Sequence, residues 1–255
     1  MLTGLVGNTG FVGANLARQR AYDLQVHRPT VGAIDGRRFG RLVISAAPGV
    51  KWRANADPAA DAAAVDTLID HLRRTSADEA VLISTVDVYP EPRQVDEATA
   101  PDPDDHPQAY GRHRLRLERF VRQHYPRCLI VRLPALFGPG LRKNLVHDLM
   151  TGRTEEFCHR RSTFQFYDLG RLTTDLDRAV AAGLPVLNLA TEPLPAETMA
   201  REVFGRTLRA ETPDPVHYDV RTRHAAVFGA DGPYVCGRDE VLAGLRTFAG
   251  ERVPA

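Results

Sequence analysis

The chain has 255 residues, 43% of them hydrophobic, enough to bury a full core within one domain. Its 33 Lys and Arg residues stand against 32 Asp and Glu, and a net charge of +1 excludes the positive excess of a nucleic-acid-binding protein. No apolar run approaches the roughly 20 residues that cross a bilayer, and MLTGLVGNTG lacks the basic-then-apolar order of a signal peptide, so the expected location is the cytoplasm, away from membranes.

Short β-branched runs alternate with helical patterns, the signature of βαβ units and a parallel sheet. The expected strands are Leu2–Val6, Asp23–His27, Arg41–Ser45, Ala80–Thr85, Cys128–Leu133 and Val186–Leu189. Helices are expected from Phe11, from Pro58 to Arg74 and from Pro107 to Tyr125, the last preceded by acidic Asp104 and Asp105 and stopped by Pro126. Beyond Phe137 the alternation fails and Gly, Pro, Arg and aromatic residues mix up to Arg171, as segments that build ligand pockets do. Cys128, Cys158 and Cys236 are too few and too far apart for a disulfide framework, and the histidines lack ligand spacing, so no metal is expected.

The first strand leads into Gly7-Asn8-Thr9-Gly10-Phe11-Val12-Gly13. Gly7 and Gly10 permit a tight turn with close backbone approach, and Gly13 lets the helix pack on the strand. The exposed N–H groups and the helix dipole then favour the pyrophosphate of a dinucleotide, with Gly7 to Val12 as its contacts. The next strand ends at His27 and Arg28, where a carboxylate would hydrogen-bond the ribose hydroxyls of NAD. A guanidinium there either pairs with a 2′-phosphate or stands as a plain surface charge, so NADP is the expected cofactor and NAD the alternative. Pro29 to Gly40 is too short for an ordinary strand–helix–strand crossover, so the adenosine side is trimmed. Small Ala46 and Ala47 after the following strand suit a cofactor passing over them.

STVDVYP, residues 84 to 90, ends a strand, and the helix after Pro107 carries Tyr110-Gly-Arg-His-Arg114. Positions i and i+4 share a helix face, which makes Tyr110 and Arg114 neighbours. A phenol is a poor base at neutral pH, and a nearby cation makes it a better one. Thr85 is placed to hydrogen-bond a substrate oxygen while Tyr110 passes the proton.

Together with the glycine loop, this order resembles the extended short-chain dehydrogenase/reductase superfamily, the NAD-dependent epimerase/dehydratase family. The resemblance covers roughly residues 1–205. It implies a Rossmann-type doubly wound parallel sheet with a small split C-terminal substrate lobe: a core of about 1–135 plus 180–192, and a lobe of about 136–179 and 193–255. It gives Thr85 the Ser/Thr role, Tyr110 the acid/base role and Arg114 the place of the family's lysine, although the two cations are not interchangeable. Dehydratases of the family show Thr-Asp-Glu where this chain has Thr85-Val86-Asp87, so one acid is missing and dehydration is disfavoured; Asp87 remains as a substrate contact.

RLPALFGPGLRKN, residues 132 to 144, resembles the family stretch that passes the nicotinamide and then the sugar nucleotide. It implies Pro134 beside the cofactor and Ala135, Arg142 and Asn144 beside the substrate, with Ala135 standing where the family has Asn and Phe137 where it has Tyr. Arg142, Lys143, Arg160 and Arg161 offer donors for a diphosphate or form a solvated basic face. The expected function is an NAD(P)-dependent oxidoreductase acting on a keto-sugar, free or nucleotide-linked. The alternatives are an epimerase with tightly held NAD and a non-catalytic dinucleotide sensor, and the expected assembly is a homodimer through the helices from Pro58 and Pro107. The last 50 residues match nothing in the family pattern.

Overall fold

The computed structural model describes residues 1–152, 158–211 and 213–250. In chain order the elements are β1 (Thr3–Val6), α1 (Phe11–Gln19), β2 (Leu24–Val26), β3 (Arg38–Ile44), α2 (Lys51–Ala56), α3 (Pro58–Arg73), β4 (Ser76–Thr85), β5 (Arg93–Val95), α4 (Ala109–His124), β6 (Cys128–Leu133) and β7 (Ala135–Phe137). They continue with α5 (Leu145–Thr151), β8 (Thr163–Phe164), β9 (Phe166–Asp168), α6 (Leu172–Ala181), β10 (Val186–Asn188), β11 (Leu194–Pro195), α7 (Ala196–Phe204), β12 (Asp219–Val220) and α8 (Arg238–Gly250). The chain divides into two compact units. One holds residues 1–91, 98–132 and 173–187, the other 92–97, 133–172 and 188–255.

The first unit is the expected α/β fold, a six-stranded parallel sheet in the order β10-β6-β4-β3-β1-β2. Strand direction alternates the side chains, and both faces are apolar because both are covered. Val6, Leu42, Ile44, Ala80, Leu82 and Ile130 join one cluster with Val65, Leu68, Ile69 and Leu72 of α3 and Leu117 and Val121 of α4. Residues of the opposite parity in the strands, Leu5, Val43, Val81 and Val131, are equally buried. On that parity Arg41 of β3 meets Asp177 of α6 at 2.9 Å, and Asp177 also takes Arg20 at the end of α1. Asp57 caps α3 by accepting from the Ala60 N–H at 3.0 Å, with Pro58 at the first helical position.

The link from β2 to β3 is a short 3₁₀ helix, Arg28–Ile34, whose Val31 and Ile34 plug the core. That is the physical form of the trimmed segment: β2 is the edge strand, and the chain steps back past β1 to pair β3 with its other side. Strand order therefore reverses at β1, whose carboxyl end carries the glycine loop. β3 and β4 begin at Arg38 and Ser76, earlier than their apolar runs, because polar residues at their amino ends still pair in register: Arg38 with Ser76 and Arg41 with Glu79.

The second unit has three two-stranded ribbons, β11-β8, β12-β5 and β7-β9, with α5, α7 and α8. Two polar side chains, buried Gln165 and half-buried Glu97, stitch it. Gln165, 1% exposed, donates to the Thr191 and Val220 carbonyls and accepts from the Val220 N–H at 2.9 Å. Glu97 accepts from the Asn188 N–H (2.8 Å), the Thr222 hydroxyl (2.7 Å) and the Arg223 N–H (2.9 Å). The C-terminal residues absent from the family pattern are thus held by Gln165, Glu97 and the pairing of β12 with β5. The three cysteines are free, and among the described residues no helix is long and apolar enough to cross a membrane. Nor does any group of three His, Cys, Asp or Glu side chains among them stand ready for a metal.

Candidate active site

The glycine loop is built of backbone. Gly7 has φ +96°, and a Cβ there would lie 2.3 Å from the Ser45 carbonyl oxygen. A Cβ on Gly13 would lie 2.0 Å from the Gly7 oxygen, so α1 sits hard against the loop. The Gly7 N–H is spent on the Val26 carbonyl at 2.7 Å, which ties the loop to β2. Helix α1 begins at Gly10 with no side-chain cap, leaving its first-turn N–H groups to an anion. Asn8 Oδ1 is buried with no partner. An uncapped helix start, a cradle that side chains would fill and an orphaned buried oxygen fit the polar backbone of a dinucleotide.

At the far end of β2, His27 folds back on Thr30, its Nδ1 lying 3.1 Å from the Thr30 hydroxyl. Arg28 is exposed and makes no ion pair among the described residues. Ala46 and Ala47 are half-buried behind the loop.

The tyrosine site is built of side chains. Thr85 ends β4 and accepts from the Asp87 N–H at 3.1 Å, which fixes the turn after the strand. The Tyr110 side chain, in the first turn of α4, lies beside the Thr85 hydroxyl and the Arg114 guanidinium, both of which favour its ionised form. Burial pushes its ionisation above the ordinary phenol value; Arg114 pulls it down, Asp87 pushes it up again, and the net direction is upward. Ser84, next to Thr85, turns the other way and donates to Glu118 at 2.6 Å, where Glu118 is paired with Arg132 through two bonds of 3.1 and 2.6 Å.

Three side chains outside the sequence motifs complete this end of the unit. His106 Nε2 lies 3.0 Å from the Asp87 carbonyl, and its Nδ1 lies 2.9 Å from the Gln108 carbonyl and 3.1 Å from the Gln108 N–H. Burial lowers its affinity for a proton. Gly111 admits this contact, since a Cβ there would lie 2.1 Å from His106 Nε2 and 2.6 Å from the Asp87 oxygen. Lys51, remote from α4 in sequence, reaches Asp87 Oδ1 at 2.8 Å from the start of α2. Asn55 of the same helix accepts from the Tyr110 N–H at 3.0 Å. No spacing announces these partners, because each crosses between elements.

Arg114 lies beside Tyr110, as their i and i+4 positions on α4 imply. It is 3% exposed, bonded twice to Asp61 and once to the Pro48 carbonyl, with its guanidinium 4.5 Å from the centre of the Tyr110 ring. It is therefore a buried neighbour of Tyr110. The positions of the second unit fare differently again. Pro134 is buried and Ala135 half-buried at the start of β7, and Arg142 is exposed. Asn144 spends its side chain on the fold, donating to the Leu136 carbonyl (2.7 Å) and capping α5 through the His147 N–H (3.2 Å). Arg160 is paired with Glu211 at 3.2 Å.

The model of the NAD dependent epimerase/dehydratase family matches residues 41–163, just under half of the chain. No curated protein matches the sequence. Among solved structures the fold is similar to the dTDP-4-dehydrorhamnose reductase of Yersinia enterocolitica, with TM-score 0.75 and 14% identity over 99% of this chain and 100% of that one. It is similar as well to the dTDP-4-dehydrorhamnose reductase of Bacillus anthracis in complex with NADP (TM-score 0.76, 16% identity, 98% and 99% covered). A third is the UDP-N-acetylglucosamine 4-epimerase of Methanobrevibacter ruminantium in complex with UDP-N-acetylmuramic acid (TM-score 0.72, 12% identity, 98% and 97% covered). At these identities the likeness is one of fold. Residues 41–163 thus resemble the NAD dependent epimerase/dehydratase family, in a chain whose fold is like that of these reductases and this epimerase.

Proposed function

We propose that the chain is an NADP-dependent reductase of a keto-sugar, free or nucleotide-linked, with Tyr110 as proton donor. One observation carries the reading: Tyr110 is buried beside Thr85 and Arg114, in the unit that also carries the uncapped glycine loop. The solved reductase bound to NADP and the match to the family model support the cofactor and the substrate class.

Gly7 to Val12 would hold the pyrophosphate and Arg28 the 2′-phosphate, since no carboxylate stands at the end of β2 to take a ribose hydroxyl. The bound dinucleotide supplies the hydride. Thr85 orients the carbonyl oxygen by a hydrogen bond, and Tyr110 gives that oxygen its proton and recovers one from water. The Asp87 carboxylate, held by Lys51, offers an acceptor to a sugar hydroxyl. Buried Arg114 takes no part in binding either ligand. A homodimer through α3 and α4 belongs to this reading, and a monomeric mass in solution would remove it.

The test is to incubate the purified protein with NADPH and then NADH against a panel of nucleotide-linked keto-sugars, following loss of the reduced cofactor. Consumption of NADPH, abolished in Tyr110→Phe, is the expected result. Tightly held NAD in the purified protein, with interconversion of sugar epimers and no net consumption, would replace the reductase with an epimerase. Cofactor binding without turnover of any sugar would leave a dinucleotide sensor.

A further inference from the structure

Asp61 belongs to no motif in the sequence. It stands in the first turn of α3 and is 6% exposed. Both of its oxygens are engaged: Oδ1 accepts from Arg114 Nη2 at 3.0 Å, and Oδ2 accepts from Arg114 Nη1 at 3.0 Å and from His113 Nδ1 at 2.8 Å. Burial pushes its carboxyl up, but the bonds from Arg114 and His113 outweigh that and hold it below the usual carboxylate value. It is therefore a carboxylate, and the guanidinium on the face of Tyr110 is a compensated cation.

The distinction matters for the phenol. An uncompensated guanidinium beside a buried ring stabilises the phenolate strongly. A two-armed ion pair presents a dipole instead, whose field on the phenol is a fraction of the bare charge's. We propose that Asp61 is a positioning residue for Tyr110: by clamping and neutralising Arg114 on the ring, it favours the protonated phenol and poises the site to give a proton to a carbonyl rather than take one from an alcohol. The inference rests on the reading of Tyr110 as the proton-transfer residue. Reduction needs the phenol, whose proton goes to oxygen as hydride reaches carbon. Oxidation needs the phenolate, which accepts the hydroxyl proton as hydride leaves.

The remaining groups around the ring follow the same pattern. On α4 itself His113 faces Asp61 and leaves the phenol to Arg114. From the turn after β4 comes Asp87, which favours the neutral phenol and is matched by Lys51 of α2 at 2.8 Å. His106, in the segment before α4, meets the Asp87 carbonyl, and Thr85 at the end of β4 contributes a hydroxyl. Each cation of this cluster carries its own carboxylate.

Near-ultraviolet titration of tyrosinate reads the charge state directly. Subtracting the curve of the same protein with Tyr110→Phe isolates Tyr110 among seven tyrosines. Asp61→Asn leaves Arg114 uncompensated and is expected to bring Tyr110 ionisation down by at least about one pH unit. The neutral double variant Asp61→Asn with Arg114→Gln is expected to send it back up. Arg114→Lys keeps the charge but cannot make the two-armed bond, so it should shift ionisation down by less, and it serves if Asp61→Asn does not fold. An unmoved curve in the foldable single variants, or an equal downward shift in the neutral double variant, overturns the proposal. Because titration needs no substrate, a chain that reduces no keto-sugar would sink the reductase reading while the shift still supported the role of Asp61.

Discussion

The glycine loop and the tyrosine site lie in the same unit and are built by opposite means. The loop works by removing side chains, so that N–H groups and a helix start come forward with nothing over them. The tyrosine site works by crowding: Tyr110 is held by Thr85 and Arg114, Arg114 by Asp61, Asp87 by Lys51 and His106. A site of bare backbone is local in sequence and can be read as a motif. A site of packed side chains is assembled from α2, α3, β4 and α4, and most of it cannot.

Four perturbations sharpen that contrast, the largest first. Tyr110→Phe removes one hydroxyl and should lower turnover by about 10²–10⁴-fold, while titration of cofactor fluorescence finds NADPH affinity unchanged. Gly13→Val drives a side chain into the Gly7 oxygen; overpacking of that kind costs about 1–3 kcal/mol, so thermal unfolding should come earlier and NADPH binding should be lost. Tyr110→Phe therefore separates chemistry from binding, and Gly13→Val removes both. If Gly13→Val binds cofactor normally, the loop is not the cradle.

Arg28→Ala is expected to weaken NADPH by about tenfold, the loss of one charge-assisted bond to phosphate, and to leave NADH unaffected; equal losses for both would return Arg28 to the solvated surface. The smallest effect belongs to His106. Burial lowers its folded-state pKa from the ordinary 6.5, so the unfolded chain binds the proton more readily. Its contribution to stability is complete above pH 6.5 and is lost as pH falls from there through the lowered folded value. Denaturant midpoints of the wild type should fall over that window more steeply than those of His106→Gln, and parallel curves would deny the ring its role in pinning the turn to α4.

Much of the first unit was legible. Cys128–Leu133 is a strand with the bounds its apolar run implies, and the shortness of Pro29–Gly40 is realised as a short 3₁₀ helix leaving β2 at the edge. Less of the second unit was. Asn144, expected beside a substrate, caps a helix and closes a turn, roles that its spacing did not announce. Glu97 and Gln165, which stitch that unit, carry no sequence signal at all.

What the sequence determined by itself was periodic or local: the order of strands and helices, the glycine loop, and the approach of Thr85 at a strand end to Tyr110 at a helix start. Each follows from chain geometry that repeats every two or three to four residues, or from glycines that a turn requires. Only the tertiary structure decided the electrostatics, by setting Asp61 against Arg114 and Lys51 against Asp87. Charges far apart in sequence compensate each other once folding brings them within hydrogen-bond reach and takes water away, and no spacing along the chain encodes which carboxylate will meet which cation.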